Sequence, residues 1–147
     1  VTLDQALQIR RGKKLVFTNG VFDILHAGHV RYLQAARELG DLLIVGLNTD
    51  DSVRSLGKGP NRPINPLADR MEVIEAIRVV DGAVEFAEQT PEALIAILKP
   101  EVHVKGGDYV AEDLPEHKII AAYGGSIVIM PTLEGRSSTR VIQTLGL

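Results

Sequence analysis

Residues 15–40 read LVFTNGVFDILHAGHVRYLQAARELG, and this stretch decides the fold. Leu15, Val16, Phe17 and Thr18 form an apolar, β-rich run, the pattern of a strand covered on both faces. A polar, glycine-bearing segment follows, and then a helical pattern over 28–39 that closes at Gly40, a common helix terminator. Strand, loop and helix in immediate succession make the opening unit of an α/β sheet. Outward from this unit the alternation continues. Apolar runs at 41–48, 83–86, 101–105 and 126–131 predict four further strands. Helices are expected over 2–10, with Thr2 and Gln5 spaced as a capping box, and from 66 or 67 to 79, with Asn65 as cap and Pro66 in the first turn. Two more are expected over 90–98 and 138–145. The fold class is therefore α/β, an open doubly wound parallel sheet of about five strands with right-handed crossovers. The tract 56–66, LGKGPNRPINP, is the one long irregular segment. Because helix and strand patterns continue on both sides, it reads as a mobile active-site loop rather than a linker.

With 147 residues and 45% hydrophobic content, the chain fits one domain, 1–147, whose opening helix is an N-terminal extension. Its net charge of −3 argues against a generic nucleic-acid binder, so local clusters of cations carry more weight than the total. The absence of cysteine excludes disulfides, thiolate metal sites and a thiolate nucleophile, and fits a cytoplasmic location. No apolar run approaches the roughly 18–20 residues of a membrane span, and Val1-Thr2-Leu3-Asp4 does not read as a signal peptide. Val1 in place of Met fits either initiator removal or a domain cut from a longer protein. No GxGxxG fingerprint is present, which makes a dinucleotide oxidoreductase a remote reading.

In open α/β sheets ligands collect beyond the carboxyl ends of the strands, where strand order reverses. Three polar, glycine-bearing segments fall at such ends: 18–29, 105–109 and 133–140. The first places His26 and His29 three residues apart at a helix entry, where both rings turn roughly the same way. The unpaired N–H groups of a first helical turn suit a phosphate there. Gly28 would admit it close to the backbone, and Gly20 would permit a tight turn off the strand. Two histidines at this spacing also suit a metal pair or structural roles. The strand-loop-helix context, the glycine and the lack of an adjacent Glu base favour the anion site.

The segment His26-Ala27-Gly28-His29 resembles the HxGH signature of the cytidylyltransferase-like nucleotidyltransferases. More narrowly, 18–33 (TNGVFDILHAGHVRYL), 65–70 (NPLADR), 104–109 (VKGGDY) and 134–140 (EGRSSTR) are together similar to the adenylyltransferase domain of bacterial ADP-heptose synthases. The likeness covers essentially the whole chain after the opening helix. It implies a Rossmann-like nucleotidyltransferase fold and transfer of AMP from ATP to heptose 1-phosphate, in the route to the lipopolysaccharide inner core. Val21 and Ser138 stand where many relatives have Cys and Thr, and neither change removes a charged group. The expected partners are ATP and a sugar phosphate, with a sugar kinase either fused or separate and a homo-oligomer allowed. Nucleic acid and membrane are not expected partners. Rival readings are a cytidylyltransferase acting on glycerol 3-phosphate or a similar alcohol phosphate, and a non-catalytic nucleotide-binding regulatory module.

The chemistry dictates the residue types. A phosphate monoester, with a second pKa of about 6, is already an anionic nucleophile, so no general base is required. The protein must align two polyanions and neutralise charge on the leaving pyrophosphate. His26 and His29 are expected to contact the phosphates. The resemblance makes Lys58 the loop lysine that clamps them and gives Arg70 a nucleotide role; a solvated lysine and a surface ion pair are the plainer alternatives. Thr18, Asn19, Gly20, Phe22 and Gly28 complete the nucleotide side of the first segment. Lys105, Gly106 and Asp108 end the fourth strand, where the resemblance places the nucleoside and a plain turn is the alternative. Arg136, Ser137, Ser138 and Thr139 offer hydroxyls and N–H groups at a helix start, a cradle for phosphate or ribose. Asp23 is expected on the acceptor side, orienting backbone or histidine groups rather than taking a proton. Asn48 and Asp50, ending the second strand, are candidates for the acceptor, with Thr49 or Asp50 alternatively a helix cap. Magnesium is expected to arrive with the triphosphate, on phosphate oxygens and water rather than in a protein cage.

Overall fold

The computed structural model describes residues 1–57, 59–131 and 145. Five strands, β1 (Leu15–Gly20), β2 (Leu42–Asn48), β3 (Gly82–Phe86), β4 (Val102–Gly106) and β5 (Ser126–Met130), form one sheet in the order β3-β2-β1-β4-β5. Every pairing is parallel, with Phe17 opposite Ile44 on one side and His103 on the other. The order reverses at β1, and the crevice beyond the ends of β1 and β4 is the switch point where such sheets receive ligands.

Parallel strands need covering on both faces, and β2 is buried at every position. On one face Val16, Val45 and Val104 meet Leu33 and Ala36 of α2 (Ala27–Arg37) and Ile74 of α4 (Leu67–Glu75). On the other, Leu15, Phe17 and Ile44 meet Ala6 of α1 (Leu3–Ile9), Ile95 and Leu98 of α5 (Glu92–Leu98) and Ile120 of α6 (His117–Ala122). Each such fully buried side chain contributes roughly 1.5–3 kcal/mol. The expected capping box opens α1: the Thr2 hydroxyl accepts from Gln5 N at 3.1 Å and Gln5 Oε1 from Thr2 N at 2.9 Å.

Four local expectations need correction. The helix α2 ends at Arg37 with Glu38 as cap, before Gly40. Gly40 is instead a site of close approach, because a Cβ there would lie 2.7 Å from the Lys14 carbonyl oxygen. Pro66, not Asn65, caps α4, since the Asn65 amide donates to the Asp23 carbonyl at 2.7 Å; the helix also ends at Glu75, short of 79. Two short helices were not expected, α3 (Asp50–Ser55) and α6. Of the two caps considered, Thr49 takes that position on α3. The helix expected over 138–145 falls, but for residue 145, outside the described residues, as does Lys58. Among the described residues no helix is long and apolar enough to cross a membrane.

Candidate active site

The end of β1 leads into α2 through an unusual cap. His26 is the N-cap residue and His29 is the third helical residue. The His26 Nδ1 accepts from the Gly28 N–H at 3.0 Å, and the His29 Nδ1 accepts from the His26 N–H at 3.2 Å. This is a reciprocal capping box with imidazoles in place of hydroxyl and carboxylate. It fixes the tautomer. A ring whose Nδ1 accepts a hydrogen bond carries its proton on Nε2, the far edge of each ring. The ring centroids are 4.0 Å apart. Burial, and then the neighbouring His26, push the His29 imidazole down to about 4, so it is neutral near pH 7.

The cap also corrects the expected phosphate cradle. The Gly28 N–H is given to His26, and the His29 N–H to the His26 carbonyl at 3.0 Å. Both amides are thus engaged within the cap, while the helix dipole still favours an anion.

Phe22 buttresses the pair. Its ring lies 5.4 Å from that of His29, on a backbone with φ +48°, a left-handed conformation costly for an aromatic residue. Gly20 makes room for that ring: a Cβ there would lie 2.9 Å from Phe22 Cε2, so close approach rather than turn formation is its role. Phe22 is buried in the core, and reaches the site only through His29.

Thr18 is fully buried at the last paired position of β1 and β4. Its hydroxyl donates to the Val104 carbonyl at 2.9 Å and lies 2.6 Å from the Tyr32 hydroxyl. Thr18 thus fastens the crevice from below instead of facing a nucleotide. Asn19 points to the opposite face, beside Gly46, and its amide oxygen is buried with no hydrogen-bond partner.

Two buried hubs hold the surrounding loops. The Asp23 carboxylate, with no exposed surface, accepts from Arg62 Nε at 3.0 Å and from the Ile64 and Asn65 N–H groups, both at 2.8 Å. The tract expected to be mobile is therefore tethered over 62–65, and Asp23 positions this loop rather than an acceptor. The Arg70 guanidinium is likewise without exposure. Its Nε donates to the Asn65 carbonyl at 3.0 Å, Nη1 to the Val21 carbonyl at 2.9 Å and Nη2 to Asp50 Oδ1 at 2.7 Å. Arg70 is thus an internal strut between these three segments. Asn48 is buried as well, with its amide on the Ser52 hydroxyl at 2.9 Å, which removes it from the acceptor side. Asp50 keeps a third of its side chain exposed, although its Oδ1 also takes the Leu67 N–H.

Near the end of β4, Lys105 has its ammonium 5.3 Å from the Tyr109 ring centroid, and Asp108 beyond the strand is exposed. Gly107, at φ +116°, makes the turn there and donates its N–H to the Met130 carbonyl. A pair missed in the sequence lies beneath: His103 Nε2 and Glu116 Oε1 are 3.1 Å apart, both buried. Burial opposes the Glu116 charge, but the His103 hydrogen bond leads the contributions that hold the carboxyl below its usual range. No spacing rule joins residues from a strand and a later helix cap. Arg136, Ser137, Ser138 and Thr139 fall outside the described residues.

A concavity of about 450 Å³ opens at the opposite edge of the sheet, beside Arg10 and Glu101. Two of its charged groups are engaged with each other and with backbone: Arg10 pairs with Glu101 and with the Leu98 and Lys99 carbonyls, and Glu101 also accepts from Leu15 N–H. The switch-point crevice remains the candidate site.

A 3-2-1-4-5 parallel sheet with paired imidazoles at the first crossover defines a nucleotidyltransferase-type site, and the chain belongs to the cytidylyltransferase-like family, whose model matches residues 17–144. Among individual proteins, it is 54% identical over 128 residues to the bifunctional protein HldE of Streptomyces coelicolor, covering 87% of this chain and 27% of that protein. It is 48% identical over 136 residues to the HldE of Syntrophotalea carbinolica, covering 92% and 28% respectively. The chain thus spans just over a quarter of the length of these relatives. A solved structure of a lipopolysaccharide core biosynthesis protein from Thermoplasma volcanium superposes with a TM-score of 0.68 at 30% identity, over 85% of this chain and all of that one. A pantoate-β-alanine ligase from Francisella tularensis shares the fold, with a TM-score of 0.63 at 16% identity, over 97% of this chain and 71% of that one.

Proposed function

We propose that this chain transfers AMP from ATP to a sugar 1-phosphate, D-glycero-D-manno-heptose 1-phosphate, giving ADP-heptose and pyrophosphate. The observation that carries the reading is the histidine capping box at the end of β1, which sets two Nε2-protonated rings side by side. Such donors suit a transition state in which negative charge builds on a departing pyrophosphate. The relatives named HldE and the lipopolysaccharide core protein support the choice of acceptor.

In this reading the sugar phosphate attacks the α-phosphorus in line, and the bond from that phosphorus to the β-phosphate bridging oxygen breaks. His26 and His29 hydrogen-bond the phosphates, and Lys58 clamps them from its loop. Asn19, Gly20, Gly28, Lys105, Gly106 and Asp108 line the nucleotide side with Arg136, Ser137, Ser138 and Thr139. Asp50 faces the acceptor. Thr18, Phe22, Asp23, Asn48 and Arg70 act through the elements they hold. The described residues contain no group of three or more His, Cys, Asp or Glu able to cage a metal ion. Mg²⁺ would arrive borne by the triphosphate, where the ion neutralises phosphate charge. The reaction is placed in the cytoplasm, with a sugar kinase, fused or separate, as the source of the acceptor.

The test offers purified protein ATP, CTP, GTP and UTP against heptose 1-phosphate and glycerol 3-phosphate, with pyrophosphate release followed. Release with ATP and heptose 1-phosphate is expected. Release with CTP and glycerol 3-phosphate alone would replace the proposed substrates.

A further inference from the structure

The phosphate-holding end of α2 and the turn after β4 belong to different crossovers, so something must set the distance between them. The backbone ladder does not: the β1–β4 pairing stops at Thr18 opposite Val104, and the crevice opens immediately beyond. At that last pair Tyr32 reaches across from α2. Its hydroxyl lies 2.6 Å from Thr18 Oγ1, and the Val104 carbonyl is within hydrogen-bond reach of both, at 3.1 Å from Tyr32 and 2.9 Å from Thr18, so the two hydroxyl protons are shared among the three contacts. The Tyr32 ring also fills the space above Gly106, where a Cβ would come within 3.1 Å of Cε2. Tyr32 follows His29 by three residues, about 4.5 Å along the helix axis, so a shift of its ring moves the imidazoles with it. Burial holds its hydroxyl up at about 12, against the opposing hydrogen bond from Thr18, so it keeps its proton.

We propose that Tyr32 is a positioning residue: it fixes the separation between the His26–His29 pair and the turn at Gly106, and so lets one nucleotide span both. This rests on the nucleotide reading given above. It makes a specific demand. A ligand that touches both elements depends on the Tyr32 hydroxyl, whereas one that touches only the imidazoles does not.

The test compares Tyr32→Phe with the unaltered chain, measuring dissociation constants for ATP without acceptor and for inorganic pyrophosphate, together with the unfolding midpoint. Phenylalanine keeps the ring above Gly106, and Thr18 still satisfies the Val104 carbonyl, so the variant is expected to fold. The expected result is ATP binding weakened about five- to tenfold, the worth of one hydrogen bond, with pyrophosphate binding changed less than about twofold. Thr18→Val should weaken ATP binding similarly, and the double variant no more than the worse single one, since the two hydroxyls form one tie. Equal weakening of both ligands, or of neither, would overturn the inference. Fully additive losses would overturn it too. An unaltered chain that bound neither ligand would instead sink the nucleotide reading, and this inference with it.

Discussion

Replacing Arg70 by methionine separates a strut from a ligand contact. The side chain is unexposed and joins three pieces of backbone that frame the crevice: the Val21 carbonyl before the histidines, the Asn65 carbonyl before α4, and Asp50 at the start of α3. Breaking a buried ion pair costs about 3–5 kcal/mol, chiefly by stranding the partner. Here Asp50 is 32% exposed and keeps the Leu67 N–H, so water can take up much of its charge. The lower end, about 3 kcal/mol, is therefore expected; the flexible methionine fills most of the volume and leaves little cavity term. At about 2–4 °C per kcal/mol for a domain near this size, the thermal midpoint should fall by about 6–12 °C. Circular dichroism melts give that number, and calorimetric titration with ATP well below the midpoint gives the affinity, expected to change less than about threefold. An unchanged midpoint with ATP affinity lost a hundredfold would refute the reasoning and return Arg70 to the ligand.

Asp23→Asn puts an amide N–H where three donors converge and removes the charge that Arg62 Nε meets. It should cost about 3 kcal/mol in denaturant unfolding and speed protease cleavage within 59–66. Normal stability and normal cleavage would mean the loop is held elsewhere. Burial, and then the neighbouring His26, hold the His29 imidazole down at about 4, below its ordinary value of 6.5. The unfolded chain therefore binds its proton first, so this histidine's stabilising share is present above 6.5 and is lost as pH falls towards 4. A bound polyphosphate raises that pKa, so ATP binding near pH 5.5 should take up protons. Titration calorimetry in two buffers of different ionisation enthalpy measures this; proton release, or uptake undiminished in His29→Gln, would contradict it.

The strands were legible because burial on both faces leaves continuous apolar runs, and all five appear within one or two residues of their expected bounds. The capping box of α1 was legible because it is local. Helices α3 and α6, of six residues each, carry too few turns to show a periodicity. The site was legible as a place more than as a set of roles. His26 and His29 stand together at the expected strand end, but their mutual capping is a matter of ring orientation that spacing does not encode. Arg70 and Asp23 look in sequence like ligand contacts, since a charge bound to substrate and one buried against carbonyls or N–H groups are written with the same letter. Gly20 shows the same ambiguity, between a turn and room for Phe22. Tyr32 carries no signal of its own in the sequence, and its hydroxyl bonds become visible only once β4 is placed beside β1.

His29→Gln is the most direct probe of the paired donors. Glutamine at the third helical position can still reach back to the His26 N–H and preserve the cap, while the imidazole Nε2–H proposed to meet the phosphates is gone. Turnover per folded molecule should fall by about 10²–10³ with the unfolding midpoint nearly unchanged. Full turnover in a stable His29→Gln protein would contradict the account.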